Sequence, residues 1–474
     1  MTTLDLSQAR VLVVGAGLMG AGIAQVAAQA GHAVRLFDTR AGAAEAAKAK
    51  LAQTLDGLVT KGKLTADAVT ATLARITAAE TLPGDVDLVV EAIVENLDIK
   101  RALFAELELL LPDDAVIATN TSSISVTALA RGMRKPERLV GMHFFNPVPL
   151  MKLVEVVSGL GTDPAIAQAV FDLSAKWGKT PVHTRSTPGF IVNRIARPYY
   201  AETLMLLQDR AATPELIDAC LRAAGFRMGP CELMDLIGHD TNFAVTNSVF
   251  AANFFDRRFT PSLVQQELVD AGFFGRKSGR GFYRYPDGAP ALPAVDAPAP
   301  TAAQVVVHGR GWVADRFAAA LPDAARELDS DWTGLNVDGR QLRLTDGRRA
   351  AELGAGAAVF DLPLAASGDI AFAGDAALGG WLTLLGLTPR AIADVPGLVV
   401  ARTIAMLINE AADAVQQGVC DEAGADAAMK LGVNYPAGPF EWLARWDRRA
   451  VAALLNRLDQ HHRGERYRVS PYLT

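Results

Sequence analysis

The segment from Gly141 to Glu155, Gly-Met-His-Phe-Phe-Asn-Pro-Val-Pro-Leu-Met-Lys-Leu-Val-Glu, sets one imidazole, His143, and one carboxylate, Glu155, in apolar surroundings stiffened by two prolines. An imidazole titrates near neutral pH, and a carboxylate beside it can fix the tautomer and stabilise the imidazolium once a proton arrives. Such a dyad suits proton abstraction. The pair taken alone is equally compatible with a core histidine and a glutamate facing water, so its weight depends on the rest of the chain. Two further polar candidates, Ser122 and Asn193, carry the same ambiguity: Ser122 could bind a substrate oxygen or cap the next helix, a job open to Ser123 as well, and Asn193 could face a cleft or a neighbouring carbonyl.

The elements that must position these groups begin at the N-terminus. Val11-Leu-Val-Val14 reads as a buried strand running into Gly15-Ala-Gly17-Leu-Met-Gly20 and then a helix-favouring segment from Ala21 to Ala30. In a strand, glycine turn and helix of this spacing, Gly15 permits the turn, Gly17 lets a pyrophosphate approach the backbone and Gly20 allows close helix packing. A second strand, Ala33-Val-Arg-Leu-Phe37, ends in Asp38, where a carboxylate would accept from ribose hydroxyls and disfavour a 2′-phosphate. Arg40, two residues on, could still receive a 2′-phosphate and so leaves NADP open, but the expected cofactor is NAD. Strands are also expected over Asp87–Ala92, Ala115–Thr119 and Leu139–His143, with a helix over Leu97–Leu110, which together predict a doubly wound parallel sheet. Ligands bind at the carboxyl ends of such strands, where Glu95, the Asn120–Ser123 turn and His143 fall.

The composition fits a large enzyme. The chain has 474 residues, half of them hydrophobic, yet no apolar run long enough to cross a bilayer. A net charge of −6 without basic blocks argues against nucleic acid as a partner. Cys220, Cys231 and Cys420 are scattered without metal spacing, which predicts a reducing compartment, no disulfide framework and no metal. The N-terminal residues show no cleavable leader pattern, and the expected location is cytoplasmic.

After Pro188 the texture becomes helical, with helices expected over Ile191–Arg210, Pro214–Ala224 and Pro230–Ile237. Five prolines between Pro286 and Ala303 predict a linker. Beyond it the chain partly repeats: Pro396-Gly-Leu-Val-Val-Ala401-Arg402 answers Pro188-Gly-Phe-Ile-Val-Asn193-Arg194, Glu410 answers Glu202, Asp426 answers Asp218, and Gly438-Pro-Phe-Glu441 answers Gly229-Pro-Cys-Glu232. Ala401 stands where the first copy has Asn193, so the duplicate keeps packing positions and loses a candidate site residue. Between the copies, Gln304 to Ala314 again reads strand and then Gly309-x-Gly311-x-x-Ala314, with no clear acid after a second strand, as in a shortened nucleotide-fold remnant. The expected domains are 1–187 (Rossmann, NAD-binding), 188–285 (all-α), 286–303 (linker), 304–386 (reduced Rossmann-like) and 387–474 (second all-α).

The first 285 residues resemble the 3-hydroxyacyl-CoA dehydrogenase family. The resemblance rests on Gly15-x-Gly17-x-x-Gly20, Val90-Glu-Ala-Ile-Val-Glu95-Asn, Asn120-Thr-Ser122-Ser, Gly141-x-His143-Phe-Phe-Asn146-Pro-Val-Pro, Glu155 and Pro188-Gly-Phe-Ile-Val-Asn193-Arg. The remainder is similar to the long bacterial form of that family, which adds a reduced Rossmann-like domain and a second C-terminal dehydrogenase domain and includes enzymes for 3-hydroxybutyryl-CoA and 3-hydroxyadipyl-CoA. The resemblance implies reversible NAD-dependent oxidation of an (S)-3-hydroxyacyl-CoA, in fatty acid, hydroxybutyrate or phenylacetate-type catabolism. It implies His143 as general base oriented by Glu155, with Ser122 and Asn193 positioning the substrate oxygen. It implies NAD contacts from Gly15, Gly17, Leu18, Met19, Gly20, Asp38, Glu95, Lys100, Ser122, Asn146 and Lys277, and CoA contacts from Thr54, Lys61, Lys100 and Ser122, Thr54 replacing a serine. Short members of the family dimerise through the helical domain, which leaves a monomer with an internal pseudo-dimer or a homodimer. The rival readings are a dehydrogenase of a free hydroxy acid, of the gulonate type, and a silent nucleotide-binding scaffold.

Overall fold

The computed structural model describes residues 4–474; the first three, where the expected first domain starts and which the leader reading includes, lie outside them. The chain divides into two compact units, Met1–Arg194 with Gln417–Val433, and Ile195–Gln416 with Asn434–Thr474.

The first unit is built on an eight-stranded sheet: β1 (Val11–Val14), β2 (Val34–Phe37), β3 (Ile76–Ala79), β4 (Leu88–Glu91), β5 (Val116–Thr119), β6 (Leu139–Phe144), β7 (Leu153–Ser158) and β8 (Thr180–Arg185), in the order β3-β2-β1-β4-β5-β6-β7-β8. Every neighbouring pair is parallel except β6 with β7. Both faces are covered, which is why β1 is apolar throughout. Val11 and Val13 join a core with Ile23 and Ala27 on one face, while Leu12 and Val14 join Phe104 and Leu107 on the other.

The first helix runs over Leu18–Gln29 rather than Ala21–Ala30, because Gly17 is already its N-cap and Ala30 its C-cap. The helix Leu97–Leu110 starts where Asn96 caps it, its side-chain oxygen accepting from the backbone of Asp98 and Ile99. The expected helix Ile191–Arg210 is interrupted, with helical turns at Val192–Ile195 and Arg197–Gln208. Pro198 has no N–H to give and its ring crowds the carbonyl four residues back, which accounts for the break.

In the second unit a seven-stranded sheet has the order β10-β9-β11-β12-β13-β14-β15, formed by Val305–His308 (β9), Ala325–Glu327 (β10), Gly334–Val337 (β11), Arg340–Leu344 (β12), Ala358–Phe360 (β13), Gly368–Gly374 (β14) and Leu387–Ala391 (β15). β9 leads through Gly309–Gly311 into the helix Trp312–Ala320 and parallel β10, as a nucleotide fold begins, but the remaining strands mix parallel and antiparallel pairs. The helical part of this unit centres on Val400–Gln416, which is buried from Val400 to Ala414 and packs against Arg197–Gln208. There Arg402 of the second copy donates to Glu202 of the first at 3.0 Å, both side chains fully buried. Among the described residues no helix is long and apolar enough to cross a membrane.

Candidate active site

The antiparallel pairing of β6 and β7 places His143 directly opposite Glu155. Their side chains meet with Nδ1 2.6 Å from Oε2, and both residues are buried. With Nδ1 committed as donor to the carboxylate, Nε2 is the nitrogen left to take a proton. The rings of Phe145 and Phe190 flank the imidazole, with centroids at 4.5 and 5.8 Å.

The other carboxylate oxygen has a separate task. Glu155 Oε1 accepts from the backbone N–H of Ile191 at 3.0 Å and of Val192 at 2.9 Å, at the start of the short helix that carries Asn193. One side chain therefore orients the imidazole and anchors the turn holding the next polar group. Asn193 in turn donates through Nδ2 to the Ser122 carbonyl at 3.4 Å, which brings Asn193 and Ser122 together.

The turn after β5 that carries Ser122 is organised by Glu95. Its Oε1 accepts from Thr121 Oγ1 at 2.6 Å, from the backbone of Ser122 at 3.0 Å, and from the backbone and hydroxyl of Ser123 at 3.2 and 3.0 Å. Burial pushes the Glu95 carboxyl up, but the Thr121 hydroxyl and the Lys100 charge outweigh it and hold the group below its ordinary value. Asn120 closes the other side of the turn, its Oδ1 accepting from the Phe144 N–H at 2.8 Å, one residue past the imidazole. Neither Ser122 nor Ser123 caps the following helix; Ser125 does, accepting from the Ala128 N–H at 3.2 Å.

Lys100 is enclosed rather than exposed. Its ammonium lies 2.5 Å from Glu91 Oε1 and 3.2 Å from Glu95 Oε2, with the lysine side chain 1% exposed. Its ammonium thus bridges the two carboxylates. Glu91, which sequence reasoning passed over, also accepts from the Ile93 N–H at 2.7 Å and from Thr119 Oγ1 at 2.6 Å. A signal for it was present: a carboxylate closing the apolar run Leu-Val-Val-Glu91 must find a cation or donors once the strand is buried.

At the end of β1, Gly15 has φ +106°, and a Cβ there would lie 2.5 Å from the Ala92 carbonyl oxygen. A Cβ on Gly20 would lie 1.7 Å from the Gly15 oxygen, so no side chain fits. Around Gly17, by contrast, a Cβ would meet nothing within 4 Å. That open space lies at the helix N-terminus, beside a cavity of about 400 Å3 lined by Gly15, Gly17, Asp38, Arg40, Val94 and Ile99. Asp38 accepts from the Ala16 N–H at 2.9 Å and from Arg40 Nε at 3.0 Å, and the Arg40 guanidinium holds its carboxyl down at about 2. The donor amides, the open glycine and the ionised acid fit a dinucleotide.

Of the remaining expected residues, Leu18 is exposed beside the glycine turn, Met19 is half-buried and Asn146 is exposed in the turn after β6. Thr54 and Lys61 are exposed two helical turns apart, on and just past the helix Ala43–Thr60. Lys277 belongs to the second unit, where it pairs with Asp240 at 2.6 Å.

Residues 10–187 match the family description "3-hydroxyacyl-CoA dehydrogenase, NAD binding domain", and residues 189–285 and again 397–474 match "3-hydroxyacyl-CoA dehydrogenase, C-terminal domain". The chain belongs to the 3-hydroxyacyl-CoA dehydrogenase family. It is an NAD-dependent oxidoreductase of that family, and the duplicate helical copy is itself a match to the family's C-terminal domain. Among relatives, 3-hydroxyadipyl-CoA dehydrogenase of Escherichia coli K12 is 44% identical over 465 residues, covering 97% of this chain and 95% of that one. The crystal structure of 3-hydroxybutyryl-CoA dehydrogenase from Escherichia coli K12 superposes with a TM-score of 0.89 at 43% identity, over 98% of this chain and 97% of that one. The crystal structure of (S)-3-hydroxybutyryl-CoA dehydrogenase from Ralstonia eutropha is 40% identical, over 58% of this chain and 98% of that one, with a TM-score of 0.57.

Proposed function

We propose that the chain interconverts (S)-3-hydroxyacyl-CoA and 3-oxoacyl-CoA, with His143 as the general base. The observation that carries this reading is the buried His143–Glu155 register pair, with Nδ1 tied to a carboxylate and Nε2 left over. In the oxidative direction His143 Nε2 takes the proton of the 3-hydroxyl group. Glu155 holds the ring in the required tautomer and stabilises the imidazolium that results. NAD, when bound, supplies the hydride acceptor. Asn193 and the Ser122 hydroxyl position the substrate oxygen, and the Glu91–Lys100–Glu95 chain keeps the Ser122 turn in place. Gly15 to Gly20 would hold the pyrophosphate and Asp38 the adenosine ribose, while Thr54 and Lys61 would offer a hydroxyl and a cation to the CoA moiety.

Short linear and dicarboxylic acyl groups, which occur in the names of relatives, both fall within the proposed range. A panel of acetoacetyl-CoA, a longer 3-oxoacyl-CoA, 3-oxoadipyl-CoA and free acetoacetate, followed by NADH consumption, tests the assignment. Turnover of thioesters alone is expected. Equal turnover of free acetoacetate would move the assignment to a free hydroxy acid dehydrogenase.

A further inference from the structure

Asp38 and Arg40 both line the cavity beside the glycine turn, and the chain leaving β2 folds one back on the other. Asp38 Oδ2 accepts from the Ala16 N–H at 2.9 Å and from Arg40 Nη2 at 3.2 Å, while Oδ1 accepts from the Arg40 N–H and from Arg40 Nε, both at 3.0 Å. A carboxylate has about four lone-pair sites. The two backbone amides and the two guanidinium nitrogens fill them, so a ribose hydroxyl that binds Asp38 must displace a donor already in place.

These donors are not equally easy to displace. The two amides are fixed by the turns they belong to, whereas the guanidinium ends a side chain that is 73% exposed. An ion pair this open to water contributes little to stability, and a ligand separates it at small cost. Arg40 is accordingly the donor that gives way, and its guanidinium, tethered two residues from the carboxylate, stays beside the cavity that both residues line.

Two opposed effects meet a 2′-phosphate at this point. The Asp38 carboxylate, which the Arg40 side chain keeps ionised at neutral pH, repels it. The guanidinium attracts it and matches its oxygens with a planar fork of donors. While the carboxylate holds that fork, the attraction is cancelled within the pair.

We propose that Arg40 sets the choice between NAD and NADP in this chain: latched to Asp38 it leaves the site selective for NAD, and released from Asp38 it receives a 2′-phosphate. This rests on the reading of Asp38 as acceptor of the ribose hydroxyls, and it makes Arg40 a specificity-determining residue rather than a catalytic one.

The full-length protein, without acyl-CoA, is titrated with NADH and with NADPH by cofactor fluorescence. The variants are Asp38→Ala, Arg40→Ala and the double variant. Should Asp38→Ala not give a cooperative melting curve, Asp38→Asn, which keeps an acceptor for the Ala16 N–H, replaces it in both the single and the double variant. Wild type binds NADH more tightly than NADPH. Asp38→Ala weakens NADH and raises the NADPH to NADH affinity ratio by about 10- to 100-fold, the scale of a charge-assisted hydrogen bond. Arg40→Ala alone lowers that ratio, because an unlatched carboxylate then faces the phosphate, and the double variant loses most of the gain seen in Asp38→Ala. The titration needs no turnover, so its result is independent of the reaction assignment. Unchanged NADH binding in Asp38→Ala would take the ribose away from Asp38 and overturn the proposal. A ratio that does not rise in Asp38→Ala, or that rises equally with and without Arg40, would overturn it as well.

Discussion

Both oxygens of Glu155 are in use, one on the imidazole of His143 and one on the two amides that open the Asn193 turn. Replacing it by glutamine keeps one acceptor and turns an NH2 toward either a donor ring nitrogen or a pair of donor amides. We expect Glu155→Gln to lower kcat with acetoacetyl-CoA by about 10- to 100-fold, as loss of an orienting partner does elsewhere. A variant turning over at the wild-type rate would show that the carboxylate does not orient the base. At this scale the sequence is informative where chemistry is local. His143, Glu155 and the glycines can be picked out because an imidazole, a carboxylate and a turn of that spacing stand out from apolar neighbours. The Glu91–Lys100–Glu95 chain is not legible in the same way, since it joins the end of a strand to a helix nine residues on and depends on both being buried. The resemblance implies Lys100 as a contact of NAD and CoA, and the fold encloses its ammonium between Glu91 and Glu95.

Among the elements, the glycine turn separates two kinds of constraint. Gly20→Ala would drive a methyl group into the Gly15 carbonyl, while Gly17→Ala meets only open space. Gly20→Ala is therefore expected to lower the melting temperature and NAD affinity together, and Gly17→Ala to raise KM for NAD with the melting temperature unchanged. A Gly17→Ala enzyme with wild-type KM would remove the pyrophosphate from this turn. In the second unit, Asp218 joins two helices and a loop, accepting from the backbone of Cys231 and Glu232 and from the Tyr283 hydroxyl at 2.8 Å. Burial pushes its carboxyl up to about 6 from 3.8. The folded chain thus holds a proton that the unfolded chain releases. The resulting stabilisation is complete below about pH 4 and is lost as pH rises through 6, a total of about 3 kcal/mol. Melting curves between pH 4.5 and 7 should fall more for wild type than for Asp218→Asn; parallel curves would contradict this. β7 itself is hard to read from sequence because Leu153 to Val157 is buried on both sides and shows no alternation, so Glu155 carries no sign of its strand.

For the whole chain, the duplication is legible in the aligned Pro-Gly motifs, but the use made of it is not. Gln417–Val433 belongs to the first unit, where Val419 accepts from the Arg185 N–H at 3.0 Å and a Cβ on Gly432 would lie 2.6 Å from Leu153. Part of the second copy therefore supports the strand that bears Glu155. In the second unit the same copy covers Arg197–Gln208 and neutralises the buried Glu202. Ending the chain after Tyr285 would uncover Leu153 and Val192 and strand the Glu202 carboxylate, so we expect insoluble or newly dimeric protein by size-exclusion chromatography. A soluble monomer with unchanged kcat would contradict that role. The reaction proposed for this chain turns on one pair outside both helical copies, His143 with Glu155. It is tested most directly by following NADH consumption with acetoacetyl-CoA in wild type and His143→Ala, with NADH binding measured alongside. Loss of about 100- to 10,000-fold in turnover with cofactor binding retained is the predicted result. Turnover in His143→Ala equal to wild type would contradict it.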